Sequence, residues 1–355
     1  MALQLKLFLY LALALVLVST WYAVKPLEKI EDLRTLLKPT VTVLAGGDVS
    51  LGRQTGQKIL AGEIDYPFLN IAETLKSADI TFINLESQLA DLGGETESPT
   101  SEYRFAGPPE GALTLRNAGV DIVSVANNHM WDYGKDRLQE TLNNLRLQEV
   151  LYVGAGMEPD KVFEPKVLES KGKKIAFLAM TELLNGYENI GAGEFVAFND
   201  EEKLIEAIAS IKDSVDWVIV SLHDGVEYAP KPSSRTVKLS HELIDAGADA
   251  IIGHHPHVPQ RIEEYIAGSS SPSFAKATEG EGTKNQRKGI IFYSLGNFAF
   301  WQPFTFWTQH SFLVKLKLTE PHKVDYEIIP IKAGWQPELL TDSEAIAQLM
   351  ERINP

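Results

Sequence analysis

The run Ala250-Ile251-Ile252-Gly253-His254-His255-Pro256-His257-Val258-Pro259-Gln260 holds three of the chain's eight histidines within four positions. Apolar residues and a glycine precede them, so the histidines fall where a short buried strand breaks into a loop. In an open α/β sheet, that carboxyl end of a strand is where ligands collect. His255 and His257 stand at i and i+2 across Pro256 and can face one centre. Neutral imidazole is the commonest metal ligand among side chains. A packed core would not take adjacent polar rings, because each needs its own buried partner. The cluster therefore reads as a metal or catalytic site.

The same event recurs on either side. Residues 41–45 (Val-Thr-Val-Leu-Ala) read as a strand running through Gly46-Gly47 into Asp48, with Arg53 five residues on. A surface ion pair, or a metal ligand with an oxyanion clamp, would each account for Asp48 and Arg53. Residues 79–83 lead to Asn84-Leu85-Glu86. Residues 121–126 lead to Asn127-Asn128-His129, with Asp132 close behind. Residues 216–222 end at His223, and Asp224 and Glu227 follow; residues 289–294 lead to Asn297. Leu138, Leu142 and Leu145, then Leu204, Ile208 and Ile211, then Leu239, Leu243 and Ala246 repeat with helical spacing. Residues 103–105 read as a short edge element and 174–180 as a further strand. Residues 311–318 alternate, with Phe312, Val314, Leu316 and Leu318 on one face, as in a half-buried antiparallel strand that pairs with 324–331. This alternation of strands and helices predicts an α/β domain over residues 41–335. Residues 268–288, rich in Ser, Thr, Gly, Lys and Glu, read as a disordered surface insertion. Residues 336–355 read as a tail with a helix over 342–353.

A lone Asp or Asn at a strand end is usually a turn former or a helix cap. Asp48, Glu86, Asn128 with His129, His223, and His255 with His257 all stand at strand ends, and turns do not explain such recurrence. Carboxylates, an amide and imidazoles are what a two-metal hydrolytic site needs, where a carboxylate can bridge ions about 3.5–4 Å apart. The chain has no cysteine, so disulfides and thiolate sites are excluded and any metal is held by N and O ligands. It has neither a Gly-x-Ser-x-Gly elbow nor a Gly-x-x-x-x-Gly-Lys-Ser/Thr phosphate loop. A net charge of −15, from 33 Lys+Arg against 48 Asp+Glu, argues against nucleic acid as a partner.

The first 25 residues differ in kind. From Leu7 to Val24 no residue is charged, and about 17–25 apolar residues suffice for a membrane-spanning helix. The run ends in Trp21-Tyr22, which suits an interfacial belt and lacks the small residues of a cleavage site. An uncleaved N-terminal transmembrane anchor is therefore favoured over a signal peptide, with residues 26–40 as a charged stalk. Lys25, Lys29, Arg34 and Lys38 follow the span and only Lys6 precedes it, a count that opposes export. Long domains translocate regardless of local charge, and the expectation is a single-pass cell-membrane protein with its main domain outside the cytoplasm.

Taken in order, Gly47-Asp48-Val49 with Arg53, Asn84-Leu85-Glu86, Ala126-Asn127-Asn128-His129 with Asp132-Tyr133-Gly134, His223-x-Gly225-x-Glu227-Tyr228, Gly253-His254-His255-Pro256-His257 and Tyr293-Ser294-Leu295-Gly296-Asn297-Phe298 form a set that resembles the CapA-type poly-γ-glutamate capsule biosynthesis proteins. Those proteins are a branch of the calcineurin-like metallophosphatase superfamily. The resemblance covers roughly residues 41–335. It implies a four-layer α/β/β/α sandwich and a membrane-tethered protein that makes or exports an anionic glutamate polymer, working with other membrane proteins of capsule synthesis. It also implies one or two divalent ions, with Mn, Fe, Zn and Mg equally compatible. By position, Asp48 and His257 would hold one ion, Glu86 would bridge, and Asn128, His223 and His255 would hold the second. His129 matches the general acid, while Arg53 and His254 would contact ligands or substrate. Two positions depart from the pattern. Ser50 stands where generic metallophosphatases carry a histidine ligand, and Asp224 stands where this branch usually has Trp. A metal-dependent phosphoesterase acting on another cell-envelope or small-molecule substrate is the alternative reading. An unrelated peptidase would need a coordinated base that the sequence does not reveal.

Overall fold

The strands expected from residues 41–45 onward form two sheets in a mixed α/β protein. The computed structural model describes residues 40–269 and 287–354. The expected anchor at 1–25, nearly all of the stalk at 26–40 and most of the insertion at 268–288 lie outside the described residues. Among the described residues no helix is long and apolar enough to cross a membrane.

The first sheet contains β1 (Val41–Val49), β2 (Ile80–Leu85), β3 (Ile122–Ser124) and β4 (Leu151–Val153), all parallel in that order. The second contains β5 (Lys166–Ser170), β6 (Lys173–Thr181), β7 (Trp217–His223), β8 (Ala250–His254), β9 (Ile262–Ile266) and β10 (Lys288–Phe292) in the spatial order β9-β10-β8-β7-β6-β5. Its four central strands are parallel and its two edge strands antiparallel. The first sheet is then completed by β11 (His310–Glu320), β12 (Lys323–Lys332) and the two-residue β13 (Glu338–Leu339), which add antiparallel beyond β1.

Three apolar clusters account for the layering. Val43, Ala45 and Phe82 of the first sheet meet Phe177, Ile219 and Ile252 of the second, so the sheets pack face to face. On the outer face of the first sheet lie α1 (Arg53–Leu60), α2 (Gly111–Ala118) and α3 (Gly134–Leu147), through Ile59, Leu115, Leu138, Leu142 and Leu145. On the outer face of the second lie α4 (Glu201–Ile211) and α5 (Ser234–Ala246), through Leu204, Ile208, Leu239 and Leu243. The terminal α6 (Ser343–Ile353) is capped by Asp342, which accepts from the backbone of Glu344 and Ala345. Its Leu349 and Ile353 join the core between the sheets.

Helical spacing located α3, α4 and α5, but not α1. That helix (Arg-Gln-Thr-Gly-Gln-Lys-Ile-Leu) buries Thr55, Gly56 and Ile59, so its inner face is made of small residues rather than an apolar stripe. Residues 101–107 form the middle and longest strand of a small three-stranded sheet, between Gln88–Leu89 and Glu97–Ser98, so the strand expected at 103–105 is present but is not an edge element, being paired on both sides. In β11 the alternation holds from Val314 to Leu318, whereas Ser311, Phe312 and Leu313 are all buried. Phe312 faces the core between the sheets and Leu313 the helical cluster, so this half of the strand is covered on both sides.

Two glycines permit close backbone approach at the strand ends, Gly47 between the sheets and Gly253 between neighbouring strands of the second. Asp48 donates its backbone N–H to Gly296 O at 3.1 Å and accepts from Phe298 at 2.9 Å. A Cβ on Gly47 would stand 1.9 Å from Gly296 O, and one on Gly253 would stand 2.1 Å from Tyr293 O. Gly47→Ala is therefore expected to cost about 3 kcal/mol in urea unfolding. Gly46→Ala, whose Cβ meets only side chains at 3.1 Å, is expected to cost about 1 kcal/mol.

Candidate metal centre

The parallel strands of both sheets deliver their carboxyl ends to one place. β1 brings Asp48, β2 leads directly to Glu86, β3 leads to Asn127, Asn128 and His129, β7 ends at His223, and β8 runs into His254, His255 and His257. Asp48, Glu86, His223 and His254 are wholly buried, and Asn128, His129, His255 and His257 nearly so. Beyond β8 the backbone turns left-handed twice, with φ of 94° at His255 and 57° at His257. Such angles in non-glycine residues are uncommon and cost on the order of 1–3 kcal/mol each. They bring the two rings to within 5.9 Å of each other, and His223 lies 4.9 Å from His255, centroid to centroid.

Two sets of ligand atoms converge. Those of Asp48, Glu86 and His257 lie within 4.8 Å of one another, as do those of Glu86, His223 and His255. Glu86 is common to both. Its Oε1 has no hydrogen-bond partner and lies 3.7 Å from His257 Nε2, 3.9 Å from His223 Nε2 and 4.0 Å from His129 Nε2. Those gaps are too long for hydrogen bonds. They suit atoms sharing a cation at bond lengths of about 2.0–2.2 Å. His254 Nδ1 and His257 Nδ1 lie 3.3 and 3.2 Å from the two Asp48 oxygens, while His254 Nε2 and His255 Nδ1 are buried without hydrogen-bond partners. An unpaired buried carboxylate such as Glu86 is costly, and this donor set of N and O atoms fits a divalent ion.

Electrostatics runs the same way. Burial, then the charges of Asp48 and Glu227, push the Glu86 carboxyl well above the ordinary range. Burial would also raise Asp48, but contacts with His254 and His257 outweigh it and hold that carboxyl well below. Burial and then His255 push His223 well down. Burial and then His257 push His255 down to about 3. The rings of His223 and His255 are therefore neutral at physiological pH, the form that ligates metal.

The residues around these ligands are polar and ordered. Asn84, seen in the sequence only as the lead-in to Glu86, donates to Asp48 Oδ1 at 2.9 Å and Glu86 Oε2 at 3.2 Å, and lies 3.3 Å from His223 Nδ1. Asn128 Oδ1 lies 2.8 Å from His223 Nε2, on the side of the ring that faces Glu86. Asn297 Oδ1 lies 3.0 Å from His257 Nδ1. Asp132 Oδ2 lies 2.9 Å from His129 Nδ1, leaving His129 Nε2 directed at the site. Arg53 makes no ion pair with Asp48: its guanidinium lies 4.6 Å over the Phe105 ring, which sits tilted with its centroid 4.4 Å from that of His129. Asp224 is buried, with Oδ2 unpartnered, and joins neither set. Exposed Glu227 forms a third convergent set with His255 and His257.

The fold and site thus define an α/β protein with a candidate divalent-metal centre at its strand ends. The family described as bacterial capsule synthesis protein PGA_cap matches residues 42–302, and the chain belongs to it. The chain is 28% identical over 326 residues to the capsule biosynthesis protein CapA of Bacillus anthracis, covering 89% of this chain and 72% of that protein. It is 30% identical over 290 residues to the PGA biosynthesis protein CapA of Bacillus subtilis (strain 168), covering 80% and 70%. A solved structure of a putative 5'-nucleotidase from Staphylococcus aureus in complex with alpha-ketoglutarate aligns with 88% of this chain and 58% of that chain, at 14% identity and a TM-score of 0.44.

The depressed His255 sets a pH dependence. An unfolded imidazole titrates near pH 6.5, and His255 in the fold near 3. Between those values the unfolded chain holds a proton that the folded chain lacks, so metal-free stability rises with pH and is lost on acidification. Glu86 works in the opposite sense above the ordinary carboxylate range, because there the folded chain holds the extra proton. In urea unfolding of chelator-treated protein, the wild type is expected to lose about 2 kcal/mol more than His255→Asn between pH 6.5 and pH 5.

Proposed function

We propose that this chain is a metal-binding protein of poly-γ-glutamate biosynthesis or export, built as a four-layer metallophosphatase-like sandwich. The observation that carries this reading is the pair of ligand sets sharing Glu86, in a chain of the capsule synthesis family. In this reading the apolar run from Leu7 to Val24 anchors the protein in the cell membrane, with the domain outside the cytoplasm. Its partners there are the anionic polymer and the other membrane proteins of capsule synthesis.

Asp48 and His257 would hold one ion, Asn128, His223 and His255 the other, and Glu86 both. When bound, such ions polarise phosphoryl or acyl oxygens and make water more acidic. The chain's own residues would do the rest. His129, held by Asp132, would present a proton from Nε2 to a leaving oxygen. Arg53 would meet substrate anions.

The His129–Asp132 pair at 2.9 Å favours a second reading, a metal-dependent phosphoesterase with another cell-envelope or small-molecule substrate. Ser50 weakens it, because a hydroxyl replaces an imidazole ligand beside the first ion.

Metal content, hydrolysis and polymer production separate these readings. The full chain is expected to carry one or two divalent ions, and His255→Ala with His257→Ala to carry none. Restored polymer in a host lacking its own homologue, by the wild type and not by the double variant, supports the capsule role. Metal-dependent hydrolysis of a generic phosphodiester or phosphomonoester without restored polymer supports the phosphoesterase. A chain free of metal after loading with manganese overturns the site.

A further inference from the structure

Glu227 is an exposed carboxylate, yet its oxygen lies within 4.8 Å of ligand nitrogens of both His255 and His257. His255 Nδ1 is buried and has no hydrogen-bond partner. The loop carrying Glu227 is pinned to the histidine segment at both ends. Asp224 N donates to His254 O at 3.2 Å, and Tyr228 N donates to Pro256 O at 2.8 Å. Between them Gly225 has φ 118° and Tyr228 has φ 62°, left-handed angles that fold the loop back over the site. The Tyr228 ring stands 6.2 Å from His257.

The ligand set of Asp48, Glu86 and His257 is short of a donor. Ser50, two residues after Asp48, is buried with an unpartnered hydroxyl, and a neutral hydroxyl is a weaker ligand than imidazole or carboxylate.

Resting on the metal-binding reading of the site, we propose that Glu227 is an additional ligand of the metal centre, supplied from the loop after His223 in compensation for Ser50. A carboxylate there adds a hard anionic oxygen from the solvent side, next to the two histidines that belong to different ligand sets. The ligand atoms lie no more than 4.8 Å apart, against roughly 4.2 Å between opposite ligands at bonds of about 2.1 Å. An exposed side chain can take up a difference of that size by a small torsional change, with no movement of the buried ligands.

Manganese affinity of the full chain tests this, by calorimetry and by competition with a chelator. Glu227→Gln is expected to weaken binding at least about 10-fold and to leave the metal-free unfolding midpoint unchanged. Glu102→Gln removes another exposed carboxylate outside the three ligand sets, and is expected to change affinity by less than about 2-fold. Ser50→His on the Glu227→Gln background is expected to recover most of the loss. Unchanged affinity in Glu227→Gln overturns the proposal and leaves the centre standing. Equal losses in Glu227→Gln and Glu102→Gln overturn it as well, because a ligand acts locally and a field does not. Failure of the wild type to bind manganese overturns the metal reading itself.

Discussion

Two carboxylates buried side by side dictate the rest of this structure. Asp48 and Glu86 are both fully shielded from solvent, and Glu86 Oε1 lies 3.7–4.0 Å from the imidazole nitrogens of His257, His223 and His129, beyond hydrogen-bonding distance. Leaving an ionised carboxylate unpaired in a protein interior costs several kcal/mol. Asn84 offsets part of that cost with one hydrogen bond to each carboxylate. Without metal the remainder is met by His254 and His257, 3.3 and 3.2 Å from the Asp48 oxygens, and by the proton that burial and Asp48 favour on Glu86; a cation would take that proton's place. The strained backbone at His255 and His257 and the glycine junction at Gly47 follow from the need to bring opposite sheets to this one point.

Amide side chains hold the site in register. Asn297 Nδ2 donates to Gln302 Oε1 at 3.1 Å and to Thr308 O at 3.0 Å. Both partners are acceptors, so the amide oxygen must face His257, and His257 must carry its proton on Nδ1. Its Nε2 lone pair is then directed at Glu86, ready for a metal. On the other side, Asn127 donates to Asn84 Oδ1 at 3.1 Å and to Leu85 O at 2.8 Å. This turns Asn84 so that its amino group serves both carboxylates. Partners of this kind fix ring tautomer and raise ligand basicity.

The ligands were legible in the sequence because strand-end position is a local signal. Asp48, Glu86, His223, His255 and His257 each follow an apolar run, and the fold only has to bring the run ends together. Asn84 was legible as a strand-end residue but not as the hub, since its partners lie 36 and 139 positions away as well as two. The support from Gln302 was equally hidden. It sits in a loop of no marked pattern and acts through Asn297. Helix α1 was missed because Thr55 and Gly56 bury a face that hydropathy does not mark. Glu227 stood in a quoted motif, but only the folded loop brings it near His255 and His257.

The two ligand sets draw on both sheets. Asp48 and Glu86 come from the first, whereas His223, His255 and His257 come from the second. A cation held there would tie the open ends of the sheets together, and ligand binding to the folded state stabilises it by mass action. The same cation would bear on the charge problem. The chain has a formal net charge of −15 and would repel an anionic polymer at long range, though salt screens this beyond about 8–10 Å. At the strand ends two divalent ions would outweigh the charges of Asp48 and Glu86, and Arg53 adds a cation at the rim. The strand ends would then be a place where an anion is welcome on a chain of net negative charge. That arrangement serves a protein that positions a glutamate polymer as well as one that cleaves a phosphoester, because both need the same local reversal of sign.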